Sequence, residues 1–334
     1  MAKLLARCQT PKKTYTMDYP AAITAAETQM EIFWLPTEPE VEKDLHCIKT
    51  ELTEAEYHGV LTTLKLFTLY ELVAGNEYWG GRFKRMFPRP DLQRMANAFS
   101  FMEINVHAPF YSRIDELLGL NTDEFYSSFT DDPVLKSRMD WLDECVSDED
   151  DLFSVGVFSM IEGAILYSSF AFLKHFQAEG KNKLVNMDAG ISFSVKDENL
   201  HSEGGAWAFR TLLSEKKELG LITEEEQYTL FERLREAGNV IKTHEARITE
   251  MVFEKGAIKG ITATQLDHFV ESRIDLCLGN LGIDKIFSPS YNPVAKWFYK
   301  NIGGDQQHDF FNKLGSSYNR DWKEKRFDWN GEQI

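Results

Sequence analysis

Glu198 and His201 stand three residues apart in Lys196-Asp197-Glu198-Asn199-Leu200-His201. On an α-helix that spacing puts a carboxylate and an imidazole on one face, where both can reach one cation. The stripe through them, Ile191, Val195, Glu198, Ser202, Gly205 and Phe209, is otherwise the face that should be core. A carboxylate there is costly to bury unless it is paired or binds a metal. Acids interrupt other apolar stripes in the same way. Glu71 follows Val60, Leu64 and Phe67 and precedes Ala74 and Tyr78; Glu103 and His107 lie between Phe99 and Tyr111; Glu162 lies between Ser159 and Leu166. Four acids facing one another would repel and desolvate at prohibitive cost, whereas two divalent cations would neutralise them. An oxygen-rich set with two imidazoles suits iron or manganese, not a structural zinc site.

Helices must carry these groups inward, and the sequence marks their ends. Thr53-x-x-Glu56, Thr223-x-x-Glu226 and Thr262-x-x-Gln265 have capping-box spacing and predict three long helices, the last two running to about Lys255 and Leu281. Pro88 and Pro90 break the chain before another helix, from about Asp91 to just before Gly119. Its inward residues Glu103, His107 and Tyr111 recur every fourth position and span about 12 Å at the usual helical rise. Pro109 frees the Asn105 carbonyl, which predicts a kink or widened turn beside them. Asp132-Pro133 opens a shorter helix, and the acidic run Asp148 to Asp151 reads as a solvated turn and helix N-terminus. A strongly apolar helix is expected from Asp151 to Gly180, and the Glu198 helix should close near Gly220. Residues 1–30 read as an irregular arm, 31–285 as the helical domain and 286–334 as a C-terminal segment with a polar, aromatic-bearing tail. Strand-like alternation is almost absent, so the expected fold is all-α.

Composition narrows the function. The 334 residues include 24 Phe, and 43% are hydrophobic, which excludes a disordered chain. A net charge of −16 opposes nucleic-acid binding, since phosphate contacts need a positive surface. Cys8, Cys47, Cys145 and Cys277 form no Cys-x-x-Cys, which argues against a disulfide scaffold or a thiolate metal site. No run of apolar residues is long and uninterrupted enough to read as a membrane helix, and the start lacks a signal-peptide pattern, so a cytoplasmic protein is expected.

One Glu from each of two helices, with an acid and a His from each of two others, is the inward constellation of ferritin-like di-metal carboxylate bundles. At these residues the chain resembles the small, radical-generating subunit of class I ribonucleotide reductase. The similarity lies in Phe33-Trp34 before Pro36-Thr37-Glu38, His107-x-x-x-Tyr111, Met160-Ile161-Glu162-Gly163, Lys196-Asp197-Glu198-x-x-His201 and Ser316-Ser317-Tyr318. It covers most of the chain. The resemblance implies that Glu71, Glu103, His107, Glu162, Glu198 and His201 hold two iron ions, with manganese/iron or two manganese as alternatives. It further implies that dioxygen is the oxidant and that Tyr111 becomes a tyrosyl radical. Trp34, Asp197 and Tyr318 would pass electrons and protons outward, with Asp197 bonded between a ligand His and Trp34; its other reading is a residue that orients His107. A separate large catalytic subunit would receive the C-terminal tail, with Trp322, Phe327 and Trp329 as anchors, and reduce ribonucleoside diphosphates. A homodimer is implied as well. Leu166 and Phe170 are candidates for a dry wall around the radical.

Two positions depart from the pattern. The family usually has Glu-x-x-His on the second helix, whereas Glu103 and His107 are four apart; one inserted residue absorbed in a widened turn would restore the geometry. Glu71 stands where most members have Asp, and the manganese/iron members that share this Glu typically lack the tyrosine found here as Tyr111. A ferritin-like storage protein and a self-contained di-metal oxidase or oxygenase are the other readings. The first has no use for Tyr111, Trp34 and a tail tyrosine together, and the second requires an open pocket beside the metals.

Overall fold

The structure is a computed structural model that describes residues 4–303. Helices account for all its regular elements, and no strand occurs among the described residues. After α1 (Pro20–Glu31) come α2 (Glu54–Leu72), continued as a π-helix over Val73–Phe83, and α3 (Pro90–Met102), a π-turn (Glu103–His107) and α4 (Ala108–Leu118). The second half comprises α5 (Pro133–Ser147), α6 (Asp151–Ala164), α7 (Tyr167–Lys174), α8 (Val185–Glu218), α9 (Glu224–Val252), α10 (Ala263–Leu281) and α11 (Pro293–Gly303).

The predicted helix signals operate as written. Thr53, Thr223 and Thr262 each accept from the backbone amide three residues on, while Glu56, Glu226 and Gln265 reach back to the cap amide. Gly119 ends α4 at φ 74°, a left-handed position that glycine takes without a side-chain clash. The stripes of α2, α6 and α8 are buried, intruding acids included.

Helices α6 and α8 lie close enough for Ser159 Oγ to donate to the Ser202 carbonyl at 2.8 Å while Ser202 Oγ donates to the Ser159 carbonyl at 2.7 Å. Gly163 makes this approach possible, because a Cβ there would sit 2.4 Å from Cys277 Sγ and Ser202 Oγ. The crossing brings Glu162 to face Glu198 and His201.

Three elements differ from the sequence expectation. The arm contains α1, whose buried face is Ala22, Ala25, Ala26 and Gln29; small residues give no strong apolar period, so the helix is silent in the pattern. The C-terminal segment, where the pattern fades, holds α11, with Val294 and Phe298 buried. The single helix expected from Asp151 to Gly180 is broken at Leu166, which is left-handed at φ 67°. Buried Glu245 compensates by accepting from Leu166 N at 3.3 Å, Ser168 N at 3.2 Å and Ser168 Oγ at 2.6 Å, and its own charge is paired with buried Arg138 at 2.8 Å. A carboxylate thus replaces the missing helical acceptors at the N-terminus of α7. The Asp151–Ala178 stretch contains an 18-residue window of mean hydropathy 1.5, apolar and long enough by composition to cross a membrane, yet that window is wholly buried in the fold as a core element.

Candidate metal centre

The four helical elements converge their acids and imidazoles into two overlapping groups. Glu71, Glu103, His107 and Glu198 form one, and Glu103, Glu162, Glu198 and His201 the other; within each group the ligand atoms lie within 4.8 Å of one another. All six residues are buried. Glu103 faces both imidazoles, with Oε2 3.0 Å from His107 Nδ1 and Oε1 2.5 Å from His201 Nδ1. Glu198 does the same, at 3.2 Å and 3.5 Å. Glu71 lies only on the His107 side, at 3.7 Å, and Glu162 only on the His201 side, at 3.8 Å. Two carboxylates therefore face both imidazoles, and two face one each.

The irregular spacing of Glu103 and His107 has a backbone cause. Residues 103–107 form a π-turn, and α4 restarts at Ala108 with Pro109 in its first turn. The wider turn brings residues four apart closer to a common face than an α-helix would, and Pro109 removes a donor at the place where the bonding pattern changes.

Hydrogen bonds on the outer side fix how each imidazole is presented. His107 Nε2 is 2.9 Å from Asp197 Oδ2, which also accepts from Trp34 Nε1 at 2.8 Å. Asp197 Oδ1 accepts from Gln29 Nε2 at 2.8 Å, so the Gln29 carbonyl oxygen faces His201 Nε2 at 3.0 Å. An oxygen acceptor opposite each Nε2 places a ring proton there and turns each Nδ1 toward the carboxylates, where it carries a proton in the metal-free cluster and would offer its lone pair to a bound cation. Gln29 was missed in the sequence: a lone glutamine in an alanine-rich stretch carries no signal of a role 172 residues away.

The donor set fits a pair of divalent cations. Glu71 Oε1, Glu103 Oε1 and His201 Nδ1 are buried without a hydrogen-bond partner, and the last two approach each other without hydrogen-bond geometry. Burial raises the pKa values of Glu71 and Glu162 well above the carboxylate range, and the charge of Glu103 adds to it. Burial acts on Glu103 too, but the imidazolium charges of His107 and His201 prevail and hold it low. Both imidazoles are raised, the surrounding carboxylates overcoming the effect of burial. The raised groups, Glu71, Glu162, His107 and His201, hold protons that offset the charge of a metal-free cluster, which is the positive charge bound cations would supply.

A family model described as "Ribonucleotide reductase, small chain" matches residues 12–293. The chain belongs to that family. Its curated relatives include a probable ribonucleoside-diphosphate reductase small subunit of Invertebrate iridescent virus 3, 22% identical over 90% of this chain and 82% of that one. Another is the ribonucleoside-diphosphate reductase subunit beta of Chlamydia pneumoniae, 24% identical over 85% and 83%. Among solved structures, a putative class I ribonucleotide reductase from Bacillus halodurans superimposes with a TM-score of 0.72 at 24% identity, covering 85% of this chain and all of that one. The dimanganese(II) NrdF of Streptococcus sanguinis gives 0.72 at 22% identity over 88% and 99%. At these identities the structural likeness establishes the shared fold.

The other residues singled out in the sequence take these places in the small-chain fold. Tyr111 is buried one turn beyond His107, and its hydroxyl has no hydrogen-bond partner. Burial, reinforced by the charge of Glu71, raises its pKa well above the phenol range. Its ring stacks on Phe67 at 4.4 Å, and Phe67 in turn stacks on Phe170 at 5.3 Å. The wall thus runs through Phe67, a residue of the α2 stripe. Leu166 and Phe170 both line a cavity of about 20 Å³ beside Glu71, Glu162 and Glu198. Trp34 is fully buried, its ring 5.9 Å from that of His107. Tyr318, Trp322, Phe327 and Trp329 lie outside the described residues.

Proposed function

We propose that this chain is the radical-generating small subunit of a ribonucleoside-diphosphate reductase, acting in the cytoplasm as a homodimer with a separate large catalytic subunit. The observation that carries the reading is the join between the two carboxylate groups and a buried, unpartnered Tyr111 hydroxyl one turn from His107. Glu71, Glu103, His107, Glu162, Glu198 and His201 would hold two iron ions, or manganese in one or both positions. When bound, that pair supplies the reaction with dioxygen that leaves the protein one oxidising equivalent.

The residues of this chain do the rest. Oxidation of Tyr111 gives one electron to that oxidising equivalent and the phenolic proton to the ligand side, where the charge of Glu71 acts on the phenol; full burial and the packing of Phe67 and Phe110 against the ring shield the product from solvent. Asp197 orients His107 and accepts from Trp34, giving a continuous bonded route from the ligand shell to an indole. Tyr318 and the tail would carry the equivalent to the large subunit, which reduces ribonucleotides to deoxyribonucleotides.

A self-contained oxidase would need a substrate pocket of roughly 300 Å³ or more beside the metals. The cavity next to Glu71, Glu162 and Glu198 is about 20 Å³, which favours the two-subunit reading.

Tyr111→Phe tests the proposal, since it keeps the ring and deletes only the oxidisable hydroxyl. Metal loading should persist, while the sharp visible band and the paramagnetic signal of a tyrosyl radical disappear together with reductase turnover. A radical signal unchanged by the substitution would assign the radical to another residue.

A further inference from the structure

Trp79 is fully buried, and its indole nitrogen donates to Glu162 Oε1 at 2.6 Å. It comes from the π-helix that continues α2, so a single helix reaches both poles of the cluster: Glu71 on the His107 side and Trp79 behind Glu162 on the His201 side. The two terminal acids are consequently unlike. Glu71 Oε1 has no partner at all, whereas Glu162 Oε1 is occupied, and only Glu162 Oε2 faces His201 Nδ1, at 3.8 Å.

The ring cannot be displaced easily. Trp79 packs at 5.0 Å against Tyr78, 4.9 Å against Phe83 and 5.0 Å against Phe99, so its N–H is aimed by a rigid aromatic shell. A buried N–H left without an acceptor is costly, which binds Trp79 and Glu162 to each other. Donation to Oε1 takes one of that oxygen's two lone-pair sites and resists rotation of the Glu162 carboxylate, which favours coordination through Oε2.

We propose that Trp79 is a positioning residue that fixes Glu162 as a one-oxygen ligand and thereby makes the two metal positions unequal. The proposal rests on the reading that the cluster holds two divalent ions, and it goes beyond that reading by separating them. Glu71, with an unbonded second oxygen, adjusts its coordination more readily than Glu162, whose second oxygen is held by the indole. Loss of the indole donor acts on the position served by Glu162 and His201 and leaves the one served by Glu71 and His107.

Manganese(II) titration of metal-free protein under argon, with unbound ion counted by its paramagnetic signal, resolves the two equivalents without any turnover. Trp79→Phe keeps an aromatic ring and removes the donor. Replacing Trp79 by β-(3-benzothienyl)alanine, which exchanges the N–H for sulfur at nearly the same shape, covers the case in which the Phe variant does not fold. The expected result in either is one equivalent weakened about 10- to 100-fold, the usual range for losing a hydrogen bond to a ligand, with the other nearly unchanged. Two unchanged equivalents would overturn the proposal, as would an equal fall in both, which would make Trp79 a packing residue for the whole cluster. Wild-type protein that binds no manganese would instead overturn the metal assignment itself.

Discussion

On α8, Glu198 and His201 lie three residues apart in a regular helix; opposite them, Glu103 and His107 lie four apart in a π-turn. Both pairs deliver one carboxylate and one imidazole to the same place. A spacing rule is therefore a statement about the backbone that carries it. Three residues suffice where each contributes about 100° of turn, and four are needed where the turn is wider.

The comparison breaks most sharply under changes of register. An alanine inserted between Asn199 and Leu200 should swing His201 by about 100° and abolish binding of both ions, as measured by metal analysis of the purified protein. Deletion of exposed Asn105 should do far less, because it converts the π-turn to an α-turn and restores three-residue spacing. If that deletion empties the site as fully as the insertion, the π-turn is itself required.

Substitution sharpens the contrast between spanning and terminal acids. Glu198→Ala should remove bound metal at both positions, while Glu162→Ala should leave the Glu71 side loaded, so that bound metal falls well below two per chain in both but further in the first. Circular dichroism should show intact helices in each, since removing one acid relieves repulsion in the metal-free cluster. Equal losses would mean that Glu198 does not span the pair.

The smallest expected effect lies outside the ligands. Gln29→Leu strips the acceptor from His201 Nε2 and a donor from Asp197, and should weaken metal binding about 10- to 100-fold without changing its stoichiometry. Affinity within twofold of wild type would reduce Gln29 to a packing residue.

Much of this was legible because burial and charge conflict. A glutamate on an apolar stripe is a local contradiction, and each of the four marked a wall of the site. Capping boxes are equally local, so the starts of α2, α9 and α10 were readable. Pro109 announced the widened turn because a missing donor must show in the backbone. The unreadable features depend on distant partners. Leu166 adopts its left-handed turn because Glu245 waits 79 residues away, Trp79 looks like ordinary core until Glu162 faces it, and α1 has only alanines to advertise its inner face.

Gln29 also sets a timetable. Its partners Asp197 and His201 are 168 and 172 residues further along the chain. At a synthesis rate of about 5–20 residues per second, roughly 10 to 30 s separate the emergence of α1 from that of the groups it must grip. Contacts of such long range are late events in folding. The nascent chain thus displays Glu71, Glu103 and His107 well before the clamp that orients the second imidazole exists, and a cation captured in that interval meets an unfinished set of ligands. Correct loading belongs to the completed chain, after α8 has closed over α1.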